Sequence, residues 1–246
     1  MFRHIGKGRT FFHNLRLASL LSVVAGMVNI TGVLAFQTLT TNLTGHFAFF
    51  AEELFLRSYT TALVYLLYVL CFLFGAFLSG LLMEKTSQFN PHAGYVAPVS
   101  LEIILLVSVG LLGSMKIGGT LLSSTSLACM LLLAMGLQNA LVTKVSQSVV
   151  RTTHLTGLFT DLGIELSRLV LGSDIAGIKQ KQLYKSIQLK LAIISCFFVG
   201  GILGGFCHRH IALSTLFIPA GLLLFTLWYD QILFRYYRIM RSIRKR

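Results

Sequence analysis

Four stretches of the chain, positions 17–51, 58–83, 117–143 and 210–229, contain no Lys, Arg, Asp or Glu. Each reaches the roughly 20 residues that a helix needs to cross the hydrocarbon core of a bilayer. Two further candidates extend the series. Tyr95 to Ser114 holds one acid, Glu102, and Leu191 to His208 has Lys190 at its mouth. Composition agrees: 55% of the residues are hydrophobic and 12% charged, against about 25% charged in soluble domains. The expectation is an all-α integral membrane protein of about six transmembrane helices, near residues 17–38, 59–83, 95–114, 121–143, 189–208 and 211–233.

The net charge of +13 does not point to nucleic acid, because the basic residues flank apolar segments and no folded basic domain is there to present them. Under six spans, 18 of the 21 Lys and Arg residues fall on the side of the two termini; the other three are Arg57, Lys116 and Arg209. The positive-inside rule then places both ends in the cytoplasm. Residues 1–16 form a basic amino-terminal segment without a small-residue cleavage site, so the first apolar run reads as an uncleaved helix. Residues 234–246 form a basic tail, with arginine at every third position from Arg235 to Arg244. Such a tail and the basic loop from Lys144 to Lys190 suit anionic inner-leaflet lipids. Cysteines 71, 129, 196 and 207 stand singly in apolar runs and read as small buried residues. Neither a disulfide framework, a metal site nor a cofactor is expected.

The chain repeats itself. Gly26-Met27-Val28-Asn29 and Asn42-Leu43-Thr44-Gly45 are echoed by Gly136-Leu137-Gln138-Asn139 and His154-Leu155-Thr156-Gly157, and Phe72 to Gly80 is echoed by Phe197 to Gly205. The first transmembrane repeat covers 17–114 and the second 121–233. Polar residues kept at matched places in apolar sequence mark where a site would lie. The Thr-Gly inserts carry His46, Glu52 and Glu53 in the first copy and Asp161 and Glu165 in the second. An acid at mid-bilayer costs about 2.5–3.5 kcal/mol on insertion scales. The inserts therefore read as half-helices or re-entrant segments rather than two extra spans, although an eight-span model gives nearly the same charge asymmetry. Three spans per copy would make the repeats inverted, as in many secondary transporters.

Thr44 and Thr156 stand where they can act near an N-cap, with Gly45 and Gly157 permitting close backbone approach. Two such helix starts facing each other would form a pocket for a small anion or polar group; the rival reading is plain helix packing. Asn29 and Asn139 are matched amides, either pocket lining or bridges between helices. Gly157, Asp161, Glu165 and Arg168 share one helical face, which places Arg168 within reach of Glu165. Asp161 and Arg168 belong to the second copy alone, as expected for a coupling or solute-contacting group, or for an ion pair at the interface. Glu102, about 10 Å into its span at 1.5 Å per residue, calls for a partner, with Lys190 and Arg151 as the candidates. His46 and His154 lack metal-ligand spacing and read as polar lining. Small-xxx-small ridges at Gly75/Ser79, Ala76/Gly80, Gly200/Gly204 and Gly201/Gly205 suit the repeat interface or homo-oligomerisation.

The block from Gly136-Leu137-Gln138-Asn139-Ala140 through Arg151 to Gly157 and on to Thr160-Asp161-Leu162-Gly163-Ile164-Glu165-Leu166, with Asn42 to Gly45 as the second signature, resembles the YoaK family over nearly the whole chain. His46 departs from the amide that this family more often has there. The resemblance implies a multi-pass protein of the bacterial inner membrane with about six helices and no established reaction. No phosphate loop, nucleophile elbow or zinc helix is present, so an enzyme is not expected. The leading expectation is a small transporter or permease with a central pocket drawn from Asn29, Asn42, Thr44, Gly45, Asn139, Thr156, Gly157, Asp161 and Glu165, with Glu102 and Arg168 as ion-pair or coupling residues. The alternative is a membrane scaffold or accessory subunit that binds a partner through the small-residue ridges and the tail.

Overall fold

The computed structural model describes residues 10–89, 93–114, 121–171 and 178–243. Its described residues form eight α-helices and no strand: α1 (Phe11–Phe36), α2 (Leu43–Phe55), α3 (Tyr59–Phe89), α4 (Val96–Ser114), α5 (Leu121–Ser146), α6 (Leu155–Val170), α7 (Ile178–Ile211) and α8 (Phe217–Ile243). The six expected ranges overlap α1, α3, α4, α5, α7 and α8, and the two Thr-Gly inserts form α2 and α6. Five stretches are long and apolar enough to cross a membrane: Phe11–Phe36, Tyr59–Gln88, Val96–Gly113, Ser124–Ser146 and Gln180–Asp230. The last is 51 residues long and contains both α7 and α8, joined by the 3-10 turn Ala212–Leu216, where Ala212 adopts a φ of 46°.

Helix ends overrun the apolar runs. α1 begins at residue 11 rather than 17 because Thr10 and His13 form a reciprocal capping box, so part of the basic amino-terminal segment is helical. α7 starts at residue 178, not 189, and α8 continues through the expected tail to residue 243. Once a helix is nucleated, polar residues extend it at little cost. Arg3, Lys7, Arg9 and Lys116 lie outside the described residues, as do the side chains of the tail arginines. α2 and α6, at 13 and 16 residues, are about 20 and 24 Å long at 1.5 Å per residue. Both fall short of the ~30 Å hydrocarbon core.

α1 and α5 are the inner pair: 61% of the most apolar window of each is buried, against 28% for α3. Packing is crosswise. α1 lies along α7, and α5 along α3. A Cβ on Gly26 would run into the Phe197 carbonyl, and one on Gly136 into the Phe72 carbonyl. In the reverse sense, Gly75 abuts the Leu133 carbonyl and Gly200 the Val23 carbonyl. Glycines at matched places of the echoed motifs thus make matched contacts. Of the expected ridges, Gly75, Gly200 and Gly204 are consumed by these contacts, whereas a Cβ on Gly80 meets open space. α4 rests on α5 and on α8. The outward faces of α3 and α7 expose Leu63, Leu70, Leu73, Phe77, Phe198 and Phe206, an apolar surface far larger than a monomeric soluble protein presents and one suited to lipid.

Candidate functional site

Both short helices begin beside the helix just completed because their leading segments are tied back to it. α1 ends on Gln37 and α5 on Gln147, each in the left-handed region, with φ of 52° and 54°. The chain then reverses. Asn29 Oδ1 accepts hydrogen bonds from the Thr40 amide at 3.1 Å and the Thr41 hydroxyl at 3.0 Å. In the second copy Asn139 Oδ1 accepts from the Thr153 hydroxyl at 2.7 Å. Each asparagine lies seven residues before the end of its helix, so the connection is drawn back about 10 Å along it.

A cavity of about 790 Å³ results, walled by Asn42 to Gly45 from the start of α2, His154 to Thr156 from the start of α6, Asn29, and the matched pair Phe72 and Phe197. The helix starts bring backbone N–H groups without intrahelical partners, and with them a partial positive charge. The two starts differ. Asn42 Oδ1 accepts from the Gly45 amide at 3.1 Å, whereas His154 makes no side-chain cap and instead lays its ring against Gly157.

A second cavity of about 980 Å³ also borders the α6 start, walled in part by Arg151, Thr156, Gly157, Asp161, Lys185 and Lys190. His154 and Thr156 border both cavities.

A family model described as "Protein of unknown function (DUF1275)" matches residues 17–229. The chain belongs to the DUF1275 family. The match takes in α2 to α7, most of α1, the first half of α8 and the whole lining of the central cavity. No curated protein and no solved structure matches the chain.

In this DUF1275 protein, five of the nine expected pocket residues, Asn29, Asn42, Thr44, Gly45 and Thr156, border the central cavity. Gly157 and Asp161 border the second, together with Thr156. Asn139 borders neither; its side-chain oxygen is used to hold Thr153. Glu165 also lies apart, and its expected partner is corrected. Its Oε1 accepts from Lys190 Nζ at 2.6 Å and from the Ser186 hydroxyl at 2.7 Å, both on α7, with the two charged side chains only 12% and 14% exposed. Arg168 is exposed on the surface. A cation on the packed neighbouring helix is shielded from water together with the carboxylate, and the i,i+3 arginine is not, so the former pairs more strongly.

Glu102 is fully buried on α4, and neither carboxylate oxygen has a hydrogen-bond partner. Neither expected partner reaches it: Lys190 is committed to Glu165, and Arg151 lines the second cavity. His46 is likewise a correction, being 2% exposed rather than pocket lining. Its Nε2 meets the Leu39 carbonyl at 2.6 Å, and its ring packs edge-on to Tyr68. It braces the segment entering α2.

Sequence reasoning passed over Thr41, Thr153, Phe72, Phe197, Ser186 and the pairing role of Lys190. For four of these the signal was present: Phe72 and Phe197 open the matched downstream runs, and Thr41 and Thr153 both stand three residues before the Thr of Thr-Gly. The Glu165–Lys190–Ser186 cluster has no counterpart in the first copy and left no such trace.

Proposed function

We propose that this DUF1275 protein is a small secondary transporter or permease of the bacterial inner membrane. It has six spans in two inverted repeats, both termini in the cytoplasm, and a central pocket that takes a small polar or anionic solute. The observation that carries this reading is one cavity bordered by the starts of both short helices. Half-helix starts that meet inside a bundle direct unpaired amides at a solute from two sides, while the flanking helices keep irregular backbone away from lipid. Phe72 and Phe197 narrow the same cavity with apolar rings, and Thr44 and Thr156 offer hydroxyls to a polar solute. The scaffold alternative is weakened because Gly75, Gly200 and Gly204 already serve contacts within the chain.

The test is solute-sized access to the central cavity. Ala48, which borders it, is changed to Cys in a protein lacking Cys71, Cys129, Cys196 and Cys207, and the protein is reconstituted in liposomes. Membrane-impermeant thiol reagents should modify the thiol, and Phe72→Trp with Phe197→Trp should slow the reaction at least tenfold. A folded protein whose Ala48→Cys thiol stays inert from both sides of the membrane would remove the transport reading.

A further inference from the structure

The second cavity differs from the first in charge, and this difference reaches beyond the shared architecture of the two copies. Its cations come from two elements: Arg151 from the segment leading into α6, and Lys185 and Lys190 from α7. Lys190 is neutralised by Glu165 at 2.6 Å. Among the described residues Arg151 and Lys185 have no carboxylate within 4.0 Å, and Lys185 Nζ instead sits 5.9 Å from the centre of the Phe11 ring. Among the described residues Asp161 is the one acid on the wall. Two unpaired cations and an ion pair against one carboxylate leave the cavity with an excess of positive charge.

The matched places in the first copy carry none of this. By the alignments that pair His154 with Asn42 and Phe197 with Phe72, Arg151 corresponds to Leu39, Asp161 to Phe49, Lys185 to Thr60 and Lys190 to Tyr65. There the chain builds an aromatic cluster, with Phe49 and Tyr65 at 5.2 Å between ring centres and Tyr65 and Tyr68 at 6.1 Å. The fold therefore does not require cations at these places. Arg151 and Lys185 are also not spent on holding α6 to α7, which the Glu165–Lys190 pair and the packing of Leu162 on Leu183 and Ile187 do.

We propose that the cavity walled by Arg151, Lys185 and Lys190 is an anion-collecting vestibule that opens on the central pocket past His154, so that the solute of the central pocket is a small anion. The vestibule stands on its own geometry; its role in supplying a solute rests on the transport reading above. A concave, low-dielectric wall of one sign concentrates ions of the other. Asp161 faces the same space and offsets one of the two unpaired cations, which leaves about one positive charge to set against the much larger desolvation cost of a dianion. That makes a monovalent carboxylate or inorganic anion the favoured class. His154 and Thr156, which border both cavities, form the partition, and the exposed imidazole is its movable part.

Thr160 borders the vestibule alone and provides the reporter. Thr160→Cys in the cysteine-free protein, reconstituted in liposomes at low ionic strength, is reacted with an anionic and a cationic methanethiosulfonate of similar size. The ratio of the two rates is referred to that of 2-mercaptoethanol. The vestibule favours the anionic reagent by about tenfold over that reference, and Arg151→Gln with Lys185→Gln returns the ratio to it. A ratio equal to the reference, a cationic preference, or a thiol inert to both reagents from both sides overturns the vestibule. The Ala48→Cys thiol separates the two proposals. If it reacts while Thr160→Cys shows no anion preference, the pocket stands and the vestibule falls. If Thr160→Cys prefers the anion while Ala48→Cys stays inert, the vestibule stands and its supply of a transported solute falls. With both intact, His154→Ala should speed the reaction of the anionic reagent at Ala48→Cys; an unchanged rate removes His154 as the partition.

Discussion

At the scale of single residues, the two asparagines matched in sequence do unequal work. Asn29 satisfies a backbone amide as well as a hydroxyl, whereas Asn139 holds a hydroxyl alone. Losing a partner of a buried backbone donor costs about 1–3 kcal/mol, and a typical hydrogen bond is worth only about 0.5–1.5 kcal/mol. Asn29→Ala should therefore lower thermal stability in detergent more than Asn139→Ala does, and equal losses would contradict the assigned roles. Glu165 and Lys190 form the best-shielded ion pair among the described residues. Glu165→Gln and Lys190→Met should each cost roughly 1–3 kcal/mol, the double variant should recover part of the sum, and Arg168→Gln should be silent. A double-mutant cycle in denaturation measurements reads the coupling directly. If Arg168→Gln costs as much as Lys190→Met, the pairing across α6 and α7 is wrong.

At the scale of elements, glycine decides how closely the inner helices approach their partners. Gly26 and Gly136 each bring a helix backbone against a carbonyl of α7 or α3, so a methyl group at either must force the helices apart. Overpacking of this kind typically costs about 1–3 kcal/mol, and more where backbone must move. Gly26→Ala and Gly136→Ala should therefore reduce yield and stability by similar amounts, because the contacts are equivalent. Gly163 in α6 and Gly80 in α3 face open space; alanine there should leave the fold intact and add up to about 0.5–1 kcal/mol from helix propensity. Thermal melts of the four variants check this. A tolerated Gly26→Ala would mean that α1 and α7 are not packed as described.

At the scale of the whole molecule, the question is whether α2 and α6 cross the membrane. Their lengths of about 20 and 24 Å at 1.5 Å per residue and their tied-back starts favour helices that enter part-way and leave on the side they came from. Ser58, between α2 and α3, should then be labelled from outside the cell after substitution by Cys, and Val149→Cys, between α5 and α6, from the cytoplasm. Reversed sidedness, with Ser58→Cys reached from the cytoplasm and Val149→Cys from outside, would establish eight crossings and parallel repeats in place of inverted ones.

Much of this molecule was legible in one dimension. Charge-free length marks a lipid-crossing helix whatever the helix packs against, so the long helices were placed before their neighbours were known. The echoed motifs and the Thr-Gly segments were equally plain, and five of the residues they singled out border the central cavity. Helix ends were misjudged where a cap or continued helix propensity outran the apolar run, as at Thr10 and Ile178. Partnerships belonged to the tertiary structure. Spacing along α6 offered Arg168 to Glu165, but α7 supplies Lys190 in a drier place. Burial removed His46 from the pocket and isolated Glu102. The crosswise contacts of α1 with α7 and α5 with α3 decide which glycines matter. Periodicity along one helix states which residues share a face; only the meeting of helices distant in sequence determines what that face touches and how much water remains there.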